Sequence, residues 1–320
     1  MTEPSPIERL VGVSLNPAID KVAAVDRLEP GRIHRPELLA MVPGGKALNA
    51  VRVARTLGAA ADIVAVVAGH AGAWVVEQLA ARGIPGWFVT LEGETRTCLS
   101  VLDRDTGRLT EFYEPGLDLP DDQWGAVEGA LQDALADRPS ATVVLLAGSL
   151  PPGAPADAYR RLATRASTAG ARVVVDVGGA PLGAALEARP WLVKINAAEA
   201  TATTGLPTSD RHEVATVARR LIHDGAEQAL VTMGVEGAML VTEARAWTVG
   251  RAPELGRYSV GSGDALVGGF VAALARGDDL PTAFRSGAAA AAANALIPGQ
   301  GELDPDAVAR LMPLCEVTPW

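Results

Sequence analysis

Residues 142–196 read TVVLLAGSLPPGAPADAYRRLATRASTAGARVVVDVGGAPLGAALEARPWLVKIN. Three short apolar runs, 142–147, 172–176 and 191–195, are separated by a helix-period segment at 156–169 and a shorter one near 182–188. Such runs, alternating with helices, predict parallel βαβ units. Outward from this stretch the alternation continues. A helix runs to about residue 135, apolar strands fall at 10–15, 63–68 and 228–232, and helical patterns cover 72–82, 212–223 and 280–296. Runs at 238–242 and 246–249 predict an antiparallel addition at the sheet edge, and the tail from 303 predicts a short helix and an extended end. The expected fold class is α/β with a mostly parallel central sheet.

Two regions break the alternation. Residues 21–42 mix charges with single apolar residues, and 85–91, 97–102 and 109–113 are half-polar extended pieces around Gly93 and the turn 105–107. They predict a small second sheet, a lid contributed by about 19–42 and 86–114, on one domain spanning 1–320.

Residues 258–275, YSVGSGDALVGGFVAALA, place Gly261, Ser262, Gly263 and Asp264 where a short extended run gives way to an alanine-rich helix. Backbone N–H groups of a helix's first turn favour an anion, and glycines let a phosphoryl group approach without meeting a Cβ. A Ser/Asp cap on a core helix reads the same way, so other stretches must decide. A second double glycine, Gly44 and Gly45, precedes Lys46 and a helix patterned on Leu48, Val51, Ala54 and Leu57, with Asn49 in its first turn and Gly58 as its stop. Ligands of open α/β sheets collect at strand C-termini. Asp20, Ser149, Asp176, Lys194, Asn196 and Glu199 fall at or just beyond such ends, and Arg96 in the lid carries a guanidinium suited to phosphate. The segment 201–210 reads as a polar turn.

Composition excludes several classes. The 28 basic and 38 acidic residues give a net charge of −10 without a Lys/Arg cluster, which argues against nucleic acid. Alanine-rich runs are broken within 18 residues by charge, glycine or proline, which argues against a membrane span. Cys98 and Cys315 stand far apart outside any ligand spacing, as do His34, His70, His212 and His223, so no structural zinc and a reducing, cytoplasmic compartment are expected. The opening MTEPSPIERL matches neither a signal nor a transit peptide. Walker and dinucleotide glycine fingerprints are absent, which argues against a nicotinamide-dependent oxidoreductase.

Taken in order, LNPAID (15–20), PGGKALNAVRVARTLG (43–58), TRT (95–97), TEFYEPG (110–116), GSLPPG (148–153), KINAAE (194–199), VTMGVEG (231–237) and VGSGD (260–264) resemble the ribokinase-like PfkB carbohydrate kinases over about 10–300. The nearest subgroup is that of 1-phosphofructokinase and tagatose-6-phosphate kinase. The resemblance implies a three-layer α/β/α sandwich with a small β-lid, and ATP with Mg²⁺ as cofactors. It implies Asp264 as the base and the amides of Gly261, Ser262 and Gly263 as the cradle of the moving phosphoryl group. Asp20, Gly44, Gly45, Lys46 and Asn49 would contact the sugar, with Arg96, Ser149 and Arg32 near it or its phosphate. Lys194 would reach the ATP phosphates, and Asn196 and Glu199 would organise magnesium largely through water. Thr232, Gly234 and Gly237 would line the nucleotide, with Asn294 on its adenine side.

The chain departs from the family pattern at Ala47, at Lys194-Ile195-Asn196, at Asp176-Val177-Gly178-Gly179 and in the lid run Arg32, His34, Arg35. The expected activity is ATP-dependent phosphorylation of a phosphorylated ketohexose, with fructose 1-phosphate ahead of tagatose 6-phosphate. A kinase of a free sugar or nucleoside, and a non-catalytic binding protein, stay open at this point. The lid's strand edges offer a route to a homodimer.

Overall fold

The computed structural model describes residues 6–251 and 254–320. The first five residues of the leader reading lie outside them. The first half of the chain holds β1 (Arg9–Ser14), β2 (Ala18–Val25), β3 (Glu37–Gly44), α1 (Lys46–Thr56), β4 (Ala60–Ala68), α2 (Gly69–Ala81), β5 (Gly86–Leu91), β6 (Arg96–Asp103), β7 (Arg108–Tyr113), α3 (Trp124–Ala134) and β8 (Thr142–Ala147). Then come α4 (Ala158–Thr168), β9 (Arg172–Asp176), α5 (Gly179–Leu186), β10 (Leu192–Asn196), α6 (Ala197–Thr204), α7 (Arg211–His223) and β11 (Gln228–Thr232). The last elements are β12 (Ala238–Thr242), β13 (Ala246–Val249), α8 (Ser262–Ala275), α9 (Leu280–Asn294), α10 (Pro305–Leu311) and β14 (Val317–Pro319).

A ten-stranded sheet runs in the order β14-β13-β12-β11-β10-β9-β8-β1-β4-β5. From β5 to β11 neighbouring strands are parallel, and β12, β13 and β14 add an antiparallel edge. Each face of the sheet is apolar. One packs on α1, α2, α8, α9 and α10 through residues such as Val51, Leu79, Phe270, Phe284 and Leu311. The other packs on α3, α4, α5 and α7 through Leu131, Tyr159, Leu182 and Val217. Strands buried on both faces account for the unbroken valine and leucine runs of 142–147 and 172–176. The expected three-layer sandwich is therefore present. Comparable parallel sheets bind ligands beyond the C-terminal ends of their strands.

The second sheet has the order β3-β2-β6-β7: two antiparallel pairs joined by the parallel pairing of β2 with β6. Residues 86–91 were expected here and belong elsewhere. They form β5, paired in parallel with β4 at the end of the large sheet. An edge strand has neighbours on one side only, so β5 is half-exposed along its length and carries the same mixed pattern as a lid strand. The stretch 201–210 also differs, because its first residues end α6. That helix opens with Asn196 accepting from Glu199 N while Glu199 accepts from Asn196 N, a reciprocal cap that offsets the weak helix propensity of the threonines behind it.

Candidate active site

A cleft of about 820 Å³ lies where the C-terminal ends of β1, β8, β10 and β11 meet the N-terminus of α8 and the lid. The chain enters α8 through Gly261, whose φ of 84° is left-handed and suits glycine. That turn brings Asp264 into the first helical turn, buried but on the cleft wall. Gly263 accommodates a close approach. A Cβ there would lie 2.7 Å from Lys194 Nζ, so the glycine lets an ammonium group sit against the helix N-terminus. Gly44 does the same for the opposite wall, where a Cβ would lie 2.0 Å from the Asp20 carboxyl carbon.

The charged groups form two connected sets. Lys194 Nζ donates to Asp176 Oδ2 at 2.7 Å, and Lys46 Nζ donates to Asp176 Oδ1 at 3.0 Å and to Glu199 Oε1 at 3.2 Å. Burial pushes the Asp176 carboxyl up, but the two ammonium groups outweigh it and hold Asp176 below the usual carboxylate range. Burial would lower the pKa of Lys46, yet Asp176, Glu199 and Asp264 together raise it. In the second set, Asn49 Nδ2 donates to Asp264 Oδ2 at 2.8 Å. Burial, with Asp176 adding to it, pushes Asp264 up to about 6 against the opposing effects of Lys194, Asn49 and Lys46. Asp20 is pushed up to about 7, again chiefly by burial, with Arg52 and Arg96 opposing. Asp20 Oδ2 and Arg96 Nε are buried without a protein partner, while both side chains line the cleft. Unpaired buried polar atoms at a cavity wall are natural contacts for a polyhydroxylated ligand.

Most of the residues singled out in the sequence converge on this cleft. Asp20, Gly45, Lys46, Asn49, Arg96 and Ser149 line one end; Lys194, Asn196, Glu199, Thr232, Gly234 and Gly237 continue the wall; and Gly261, Ser262, Gly263 and Asp264 stand between them. Beyond Thr232 the wall becomes apolar and small-featured, with Ala238, Val249, Ala288, Ala291, Ala292 and Cys315. A flat apolar group joined to phosphates would fit this surface with its charge toward Lys194 and the α8 turn. Among the described residues no cluster of three or more histidine, cysteine, aspartate and glutamate side chains could hold a metal by itself.

Four expectations are corrected. The Arg32 side chain is 73% exposed, pairs with Glu29 on the loop between β2 and β3, and does not line the cleft. Charge composition alone could not tell that the loop points into solvent. Asn294 is fully buried rather than on the cleft wall: its Nδ2 donates to Val260 O and Ser262 Oγ, and its Oδ1 accepts from Gly301 N. It braces the turn into α8. The Ser262 amide donates to Ser259 O at 3.2 Å and so closes a local turn. Gly44 backs Asp20 without lining the cleft itself. Sequence reasoning missed Asn16, whose Nδ2 donates to Ser149 Oγ at 3.0 Å and whose carbonyl accepts from Arg96 Nη2 at 3.1 Å. It missed Gln300 and Tyr113 on the cleft wall as well. Asn16 could have been found from its place just past β1; Gln300, in the loop after α9, carries no comparable signal.

This is the architecture of a kinase acting on a small polar acceptor, and comparison with known proteins agrees. The description pfkB family carbohydrate kinase matches residues 12–307. A 1-phosphofructokinase of Xanthomonas campestris pv. campestris is 37% identical over 270 residues, covering 82% of this chain and 83% of that one. An ATP-dependent 6-phosphofructokinase isozyme 2 of Mycobacterium tuberculosis is 29% identical over 98% of this chain and 93% of its own length. The tetrameric inhibited form of phosphofructokinase-2 from Escherichia coli superposes with a TM-score of 0.86 at 27% identity, covering 96% of this chain and 99% of that one. The chain belongs to the pfkB family of carbohydrate kinases.

Proposed function

We propose that the chain transfers the γ-phosphoryl group of ATP to a hydroxyl of a phosphorylated ketohexose, foremost the 6-hydroxyl of fructose 1-phosphate, giving fructose 1,6-bisphosphate and ADP. The observation that carries the reading is the position of Asp264. It is an acid in the first turn of α8, held by Asn49 on one oxygen, beside Lys194, on the wall of a cleft whose other side carries Asp20 and Arg96. Phosphoryl transfer needs an aligned hydroxyl, a proton acceptor and fixed positive potential around the moving charge. In this reading Asp20 and Asn49 orient the sugar, and Asp264 takes the proton from the attacking hydroxyl. The amides of Gly261 and Gly263, with Lys194, meet the charge on the transferring group. Arg96, anchored through the carbonyls of Asn16 and Glu114, meets the existing phosphate near Ser149. Thr232, Gly234 and Gly237 border the nucleotide, whose base rests on the alanine wall of α9.

Magnesium bound beside the nucleotide would supply charge neutralisation of the phosphates. Asn196 and Glu199 would hold it, largely through water. Both side chains are already engaged in the cap of α6, which favours that indirect contact.

We also infer a homodimer through the lid. Directly paired residues share a sheet face, so Lys21, Met41, Leu99 and Phe112 lie together, on the face opposite Asp20, Cys98 and Tyr113. Leu38 at 58% and Phe112 at 53% exposure leave this outer face apolar. The tetrameric neighbour supports association but not this particular pairing.

A second acceptor, fructose 6-phosphate, is favoured by the relative from M. tuberculosis; tagatose 6-phosphate follows from the motif 110–116. ADP release measured with ATP and Mg²⁺ across fructose 1-phosphate, fructose 6-phosphate, tagatose 6-phosphate and the free sugars separates them. Highest kcat/KM on fructose 1-phosphate is expected. Turnover confined to free sugars removes the phosphate contact of Arg96.

A further inference from the structure

Arg52 enters the site described above only as a charge that opposes the rise of Asp20, yet it is a fully buried cation one helical turn beyond Asn49 on α1. Its Nη2 donates to Asn49 Oδ1 at 2.9 Å and also to the carbonyl of Gln300, and its Nη1 is paired with Glu302. A guanidinium can only donate hydrogen bonds, and an ionised carboxylate can only accept them. The Asn49 amide lies between the two. With its oxygen turned to Arg52, its NH2 group must face Asp264, as found at 2.8 Å. A flipped amide would set donor against donor at Arg52 and acceptor against acceptor at Asp264.

We propose that Arg52 is a positioning residue for phosphoryl transfer: through Asn49 it fixes which end of the amide meets Asp264, and so holds one oxygen of the base in place while the other serves the acceptor hydroxyl. Glu302 and the Gln300 carbonyl hold the guanidinium in turn, which ties the loop after α9 to the reacting end of the cleft. Gly301 supports this close packing, since a Cβ there would lie 2.7 Å from the Asn49 backbone. The other charged groups acting on Asp264 are Lys46 on α1, Asp176 at the end of β9 and Lys194 on β10, with Asp20 of β2 also coupled to it. None of them contacts the Asn49 amide oxygen, so the orientation of that amide is the part that belongs to Arg52.

This inference rests on Asp264 being the base, and a double-mutant cycle distinguishes failure of one from failure of the other. Wild type, Arg52→Lys, Asn49→Ala and the double variant are compared for kcat, KM of each substrate, the pH profile and thermal midpoint on the preferred sugar phosphate. Lysine keeps the charge but lacks the planar fork. Because a hydrogen bond to a charged group is at stake, Arg52→Lys should lower kcat roughly tenfold in the wild-type background, and less than about twofold on top of Asn49→Ala. The acidic limb of its pH profile should move upward, toward that of Asn49→Ala, with KM for ATP unchanged.

Equal fold losses in both backgrounds, or a loss of thermal midpoint with an unmoved acidic limb, would overturn the relay and leave Arg52 a structural residue. Should Arg52→Lys fail to fold, Glu302→Gln provides the same cycle with a smaller loss, about two- to fivefold, again only when Asn49 is present. An additive Glu302→Gln effect overturns the proposal. Near-wild-type turnover of Asp264→Asn would remove the base and the relay together, whereas an inactive Asp264→Asn with additive Arg52 effects removes the relay alone.

Discussion

The N-terminus of α8 and the lid face each other across one cleft and are built in opposite ways. Residues 265–273 of α8 are buried between α1 and α9, where a Cβ at Gly268 would lie 2.4 Å from the Ala50 carbonyl and one at Gly269 2.6 Å from the Ala290 Cβ. The lid is a single four-stranded layer with one face toward the cleft and an apolar face toward solvent. Groups that stabilise a transition state act best when held in place beforehand, and the helix terminus leads into this buried, closely packed helix. The lid carries Asp20 and Arg96, proposed above to contact the acceptor, on that single layer. Under the proposed roles, rate belongs to α8, and selectivity and association to the lid.

Substitutions on the two sides should therefore fail differently. Lys194→Met removes positive potential beside the α8 turn and frees Asp176 from its 2.7 Å partner; kcat should fall by about 100-fold or more on every acceptor, measured by ADP release. A loss confined to one sugar would move Lys194 to the selective side. The pH dependence is the next largest effect. Asp264 and Asp20 are pushed up to about 6 and about 7 by burial, and both must be ionised for the proposed roles. Deprotonation gains them as pH rises, so kcat/KM should climb through that range, falling about tenfold per pH unit between the two values and about 100-fold per unit below both. A profile flat from pH 5 to 8 would contradict those roles.

On the lid side, Arg96→Ala should raise KM for a sugar phosphate by roughly tenfold while changing that for a free sugar little, as expected for loss of one charge-assisted contact. Equal changes would take Arg96 out of phosphate recognition. The smallest effect on chemistry is expected from Phe112→Glu on the outer lid face. It should shift mass in solution toward the monomer by light scattering while kcat stays within about threefold. An unchanged mass would put the interface elsewhere.

What could be read from the sequence follows the same division. The βαβ core was legible because strands buried on both faces are uniformly apolar, and the Gly261–Asp264 turn because helix entry, glycine and acid coincide within four residues. Edge and surface features were less so. Residues 86–91 look like a lid strand because any half-exposed strand does, and Arg32 looks like a phosphate ligand because its loop's direction is not encoded in its neighbours. Asn196 and Glu199 were read toward magnesium, although their spacing is also that of a helix cap and the structure uses it so. Pairings over long separations, such as Asn49 with Asp264 or Lys46 with Asp176, leave no local trace.

The central claim is that Asp264 is the proton acceptor in phosphoryl transfer to a sugar phosphate. The direct measurement is turnover of Asp264→Asn on fructose 1-phosphate, with ATP affinity determined by titration on the same preparation. A fall in kcat of about 10² to 10⁴ with ATP binding nearly intact is predicted. Near-wild-type turnover would contradict it.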